Sequence, residues 1–149
     1  MAAFEVEDYG PLIVVTFLRV TTEAECVAAL EQMASAYQRA PRVAFVIDPS
    51  PAPNLPASQR SLIGRWLSAH DEMVRRQCVG LSFVFTSAVS RFVLSSIFLL
   101  WPPSCPYAVC SSRAEALQRT DPWLRRVGIN PAPLLSRATE SAERRRTSA

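Results

Sequence analysis

The chain contains no lysine; all 16 of its basic side chains are arginines, spread along the length apart from the run Arg144-Arg145-Arg146. Arginine-biased codon usage accounts for this. A nucleic-acid surface calls for a basic stripe interleaved with aromatics, and none is present, so no nucleic-acid partner is expected. There is a single histidine, His70, and so only one candidate for the base of a nucleophilic triad. Glycine is scarce, with four residues, and forms no phosphate-cradling loop. The four cysteines, Cys26, Cys78, Cys105 and Cys110, show no C-x-x-C spacing. They read as small buried hydrophobes with reduced thiols, Cys105 between two prolines being the most exposed; no metal and no cofactor is expected. No charged segment followed by an apolar signal core opens the chain, and the longest apolar run is too short to span a bilayer. A cytoplasmic protein without integral membrane insertion is the expectation.

With 149 residues, 49% of them hydrophobic and 19% charged, the chain is long enough for one domain with a real core. Its positive mean hydropathy suggests that a partner covers some apolar surface. The stretch from Arg42 to Asp48 is an apolar run ending in a carboxylate. It reads as a strand buried on both faces, and function in such sheets sits just past the strand ends. Residues 4–8 and 11–18 alternate as strands around Tyr9-Gly10 and should form an antiparallel hairpin. Thr22 with Glu25 makes a capping box for a helix ending near Arg39, before Pro41. After the central strand, four prolines in residues 49–56 make a stiff loop. A helix over 57–77 follows, and Gly80 separates it from a strand over 81–86. A helix opening at Ser87 or Ala88 is apolar almost all round up to Trp101. A strand over 107–110 precedes a helix that Ser112 caps, with Glu115 completing a second capping box, and it runs to about Arg126. The expected fold is α/β, ordered ββαβαβαβα: a mixed, mostly parallel sheet of about five strands with four helices. Residues 1–128 form the domain and residues 129–149 a weakly ordered tail rich in proline, serine and arginine.

Candidate site residues follow from this order. Asp48, at a strand's carboxyl end, can hydrogen-bond the following loop or receive a proton or a metal. His70 falls in the apolar stripe of its helix, and an enzyme would need it to converge with Asp48 and a serine. Arg60, Arg65 and Arg91 lie near helix starts, where an anion could sit. Phe92, Phe98, Leu99 and Trp101 belong to the helix whose apolar residues exceed what one sheet face covers, which predicts either a protein interface or simple core packing.

The order of elements over residues 4–126 resembles the STAS domain family, the fold of bacterial anti-sigma-factor antagonists. The likeness rests on the strand ending in Asp48, the loop leading to a helix that begins around Ser58, the Ser82-Phe83-Val84-Phe85 strand, and the closing start Ser111-Ser112-Arg113-Ala114-Glu115-Ala116-Leu117. The CRAL-TRIO lipid-binding domains resemble this topology as well. The resemblance implies a non-enzymatic regulatory domain acting through protein partners, as a homodimer or with a kinase that phosphorylates a serine at that helix start. Ser58 matches by position, with Ser61 as a nearby substitute; where the family has Asp-Ser-Ser-Gly, this chain has Pro56-Ala57-Ser58-Gln59. A phosphate there would meet free backbone donors and the positive end of the helix dipole, whereas an unmodified serine would act as an N-cap. Asp48, Ser50, Asn54 and Arg60 complete the expected partner-binding loop. The alternative is a carrier that holds a lipid or other anionic ligand between the apolar helix and the sheet.

Overall fold

The computed structural model describes residues 2–148. Five strands, β1 (Phe4–Asp8), β2 (Leu12–Phe17), β3 (Val43–Asp48), β4 (Cys78–Val84) and β5 (Tyr107–Cys110), form one sheet in the order β1-β2-β3-β4-β5. β1 is antiparallel to β2, and every later pairing is parallel. The hairpin forms because Gly10 takes φ +80 and the Asp8 carboxylate accepts its N–H at 2.8 Å. Helix α1 (Glu23–Arg39) starts at the Thr22–Glu25 capping box, and Ala40 ends it in extended geometry before Pro41.

Each crossover in the parallel part moves one strand further in the same direction. Crossovers share one hand, so their helices fall on one face. Thus α1, α2 (Ala57–Ala69), α3 (Asp71–Gln77) and α4 (Ala88–Leu100) all cover the face carrying Ile13, Val15, Phe45 and Phe83. The opposite face carries Leu12, Val14, Ala44 and Val46, each fully buried. Its cover is α5 (Arg113–Arg126) together with α6 (Ala132–Ser148), whose Leu134 and Ala138 belong to the same core. The fold is an α/β/α sandwich with six helices among the described residues.

Two of these helices depart from the sequence expectation of four. The helix expected over 57–77 breaks at His70, which takes φ −108 and ψ 17 between α2 and α3. The polar segment after residue 128 forms α6 and is not a loose tail. Gly128, at φ +80, ends α5 and lets the Gly128 and Ile129 amides bond back to the last turn. The following helix is then fastened by charge. Arg113 meets the buried Glu7 carboxylate in a two-pronged pair at 2.9 and 3.0 Å, and also donates to the Ala138 carbonyl at 3.0 Å. Arg145 pairs with Glu5, and Arg137 lies 5.2 Å over the Tyr9 ring. β4 begins at Cys78, earlier than the expected residue 81, and Gly80 is inside it. A Cβ there would lie 2.3 Å from the Trp123 ring, so the glycine marks close packing of α5 on the sheet and not a break. Ser82, wholly buried, donates to the Ala116 carbonyl at 2.8 Å and fixes the same contact. No described helix is long and apolar enough to cross a membrane.

Removal of residues 129–149 is expected to bare an apolar sheet face; chemical denaturation of the truncated chain should lose its cooperative transition, and a weakly held tail would leave that transition unchanged. Burial alone would raise the Glu7 pKa, but hydrogen bonds from Arg113 and Tyr9 and the charges of Arg113 and Arg145 outweigh it and hold it below the ordinary value. A lowered carboxylate stabilises the fold above the unfolded-state pKa, and that contribution is lost as pH falls through the folded-state value. Arg113→Ala should therefore cost about 3 kcal/mol near neutral pH by stranding a buried charge. It should also remove part of the acid-side slope, as read by denaturation between pH 3 and 7.

Candidate functional site

The first chemistry-bearing residues past the β3 carboxyl end are committed to local structure. One Asp48 oxygen accepts from the Ser50 amide at 2.9 Å and from the Ser50 hydroxyl at 2.5 Å, which shapes the start of the 49–56 loop. Asn54 and Ser58 are exposed, and Ser50, Arg60 and Ser61 are half-buried. Helix α2 has Pro56 as its N-cap and no side-chain cap, so Ser58 sits inside the first turn and is not the capping serine. Arg60 donates to the Leu55 carbonyl at 2.6 Å and stacks 5.3 Å over the Phe92 ring. Arg91 is exposed and lines a groove with Tyr107 and Val109 on the β5 side of α4. Arg65 is exposed on α2.

His70 does not approach Asp48. Helix α2 is roughly 20 Å long and carries the chain back along the sheet, so the two lie at opposite ends of it. The His70 Nδ1 lies 2.7 Å from the Trp66 carbonyl, and its ring stacks on the Trp66 ring at 4.0 Å. No group of three or more histidine, cysteine or acidic residues suited to a metal occurs among the described residues. Cys26, Cys78 and Cys110 are buried, and Cys105 is half-buried. Burial and the charge of Glu23 push the Cys26 thiol up to about 11. A hydrogen bond to Cys78 and burial push Cys105 up as well. Neither thiol is an activated nucleophile.

Helix α4 presents two different faces. Trp101, the α4 C-cap, is 2% exposed and its indole N–H donates to Asp71 at 2.8 Å, so it belongs to the core and not to an outer surface. Phe98 is half-buried and packs edge-on against Phe83, Trp101 and Tyr107. Phe92 and Leu99, seven residues apart, stand 61% and 84% exposed.

Under the inner face of α4 lies a cavity of about 130 Å³. Its floor is Ile47 of β3 with Leu81 and Phe83 of β4; its walls include Leu30 of α1, Leu67 of α2 and Val93 of α4; residues of the 49–55 loop close it above. A buried reciprocal pair ties the segment before α1 to α2, with the Thr21 hydroxyl 2.6 Å from Gln59 Oε1 and the Gln59 amide donating back to the Thr21 carbonyl at 2.5 Å. Arg19, the charged residue of the lining, is joined to Glu25 by two bonds at 3.0 and 2.7 Å. That pairing holds the Glu25 carboxyl down at about 2. The cavity offers apolar contact and no free polar group arranged for catalysis. The carrier alternative read from the sequence places a ligand between the apolar helix and the sheet, as here, but the lining itself is not legible there, because it comes from α1, α2, α4 and three strands joined only by the fold. Its one local signal is the proline-rich loop, whose stiffness keeps the roof in place.

No protein-family model, curated protein or solved structure matches this chain.

Proposed function

We propose that the chain is a non-enzymatic binding domain that shelters one small apolar group, a ring or a short acyl segment, between its sheet and helices α1, α2 and α4. The observation that carries this reading is the cavity itself, walled almost wholly by carbon and roofed by a proline-stiffened loop. Well-packed interiors leave few voids larger than a water molecule. An apolar void of about 150 Å³ in an engineered protein stays dry and takes up benzene or xenon, which sets the scale of the occupant. The pairing of Arg19 with Glu25 favours a neutral group in the cavity, with any anionic end of the ligand outside it. The resemblance to the CRAL-TRIO lipid-binding domains agrees with this use of the fold.

Calorimetric titration of the full chain with toluene, a single ring on the scale of the cavity, should show saturable one-to-one binding. Val93→Phe, which fills the cavity from α4, should weaken it by about tenfold or more without lowering the melting temperature. Non-saturable binding, or binding indifferent to Val93→Phe, would overturn the reading.

A second reading, the STAS-like regulatory domain working through a protein partner such as a kinase, is favoured by one specific observation. Ser58 is exposed in the first turn of α2, and that helix has no side-chain cap. A negative charge at this position meets unpaired backbone amides. Ser58→Asp should raise stability by about 0.5 kcal/mol at low ionic strength, and Ser61→Asp, a turn further in, should not. Thermal denaturation of the two variants tests this, and equal responses would remove the basis for a switch at Ser58.

A further inference from the structure

Seven large apolar side chains are exposed among the described residues, and six of them, Val89, Phe92, Leu99, Leu100, Tyr107 and Val109, lie on α4 and β5. Leu100 and Phe92 lie towards α2, beside Gly64 and Arg60, whereas Tyr107 and Val109 line a groove between β5 and α4. β5 is also an edge of the sheet, so it carries a row of open backbone groups.

The register shows which groups are open. The Leu81 amide bonds the Pro106 carbonyl at 2.9 Å, and the Phe85 amide bonds the Cys110 carbonyl at 2.8 Å. With Leu81 opposite Tyr107 and Phe83 opposite Val109, the even-numbered residues of β5 turn their backbone groups towards β4. Tyr107 and Val109 therefore turn theirs outward. These two residues are symmetric about Ala108, so an antiparallel copy of the same strand, centred on Ala108, places Tyr107 against Val109 of the second copy and Val109 against Tyr107. Every outward N–H and C=O of the pair is then satisfied by four hydrogen bonds, the self-complementary arrangement that a two-fold interface requires.

We infer that β5 pairs with β5 of a second copy of this chain, giving a continuous ten-stranded sheet with the two α4 helices side by side over it. A two-fold axis perpendicular to the sheet keeps like faces together, so α4 of each copy lies on the same side as Tyr107 and Val109 of both. Leu99, 84% exposed, with Tyr107 and Val109, 47% and 38% exposed, offers the paired edges apolar surface in addition to the four backbone bonds. Arg91 is the one charged residue lining the groove between α4 and β5, so this surface carries no charge pattern that would select a strongly acidic or basic partner.

Sedimentation velocity on the full chain at tens of micromolar is the test, with expected mass twice the 16.5 kDa of one chain. Val109→Pro removes an outward N–H and leaves the bonds to β4 in place, and it should weaken association about thirtyfold with an unchanged far-ultraviolet spectrum. Leu99→Glu changes a side chain that is 84% exposed, so it cannot disturb the core, and it should also shift the equilibrium towards monomer. If the proline variant does not fold, Leu99→Glu decides the matter. A wild-type monomer at these concentrations would overturn the inference, whether or not it floats with phosphatidylcholine vesicles. A dimer that both folded variants leave intact would overturn it too.

Discussion

The structure depends on a sheet that must be covered twice by a chain whose crossovers cover it once. β2 and β3 are buried on both faces, with Leu12, Val14, Val15, Ala44, Phe45 and Val46 having essentially no exposure. Fully burying each of the larger of these side chains is worth about 1.5–3 kcal/mol. Crossovers of one hand that always step the same way put α1 to α4 on a single side. The second layer therefore has to come from elements after the last strand, and α5 and α6 supply it. The Glu7–Arg113 pair, the Arg145–Glu5 pair and the Tyr9–Arg137 contact then act as clasps between the first strand and the last two helices. Their value lies in joining the two ends of the chain across one face.

Much of this arrangement is legible in local chemistry. The Thr22–Glu25 box, the Gly10 turn, the Pro41 stop and the Ser87 and Ser112 caps place the first two strands, α1, α4 and α5 within a residue or two of their observed limits. The Ser112 cap departs in one detail, since Glu115 reaches back to the Ser111 amide. What local chemistry does not show is tertiary demand. The segment 132–148 has a polar composition and follows Asn130-Pro131, which reads as a loop, and only Leu134 and Ala138 reveal its inner face. The run Phe45 to Ile47, apolar on both sides, already required a second layer, and α5 shares that task with the segment after it. Gly80 carries the same lesson: a glycine before an apolar strand reads as punctuation, yet here it is the slot for Trp123.

The site was less legible than the fold. Asp48, Ser50 and Arg60 are where the sequence places them, but each spends its hydrogen bonds on the loop. The apolar helix proves to serve two purposes. Its inner side, with Val93 and Leu94, walls the cavity, and its outer side, with Phe92 and Leu99, remains in solvent. An all-round apolar helix is what such double use requires. Core packing, one of the two alternatives read from the sequence, holds for the inner flank, and the outer flank is left exposed.

The one-sided crossovers bear on how the chain is made. A ribosome delivers β1 to β5 and α1 to α4 before α5 and α6 emerge, so one apolar sheet face waits bare while its cover is still being synthesised. Exposed apolar surface of this kind is what drives misassociation of incomplete folds. The early hairpin, with Glu5 and Glu7 on that same face, sets two carboxylates beside the bare strip during the wait. The two carboxylates that pair with Arg113 and Arg145 in the finished fold thus border the strip before its cover arrives.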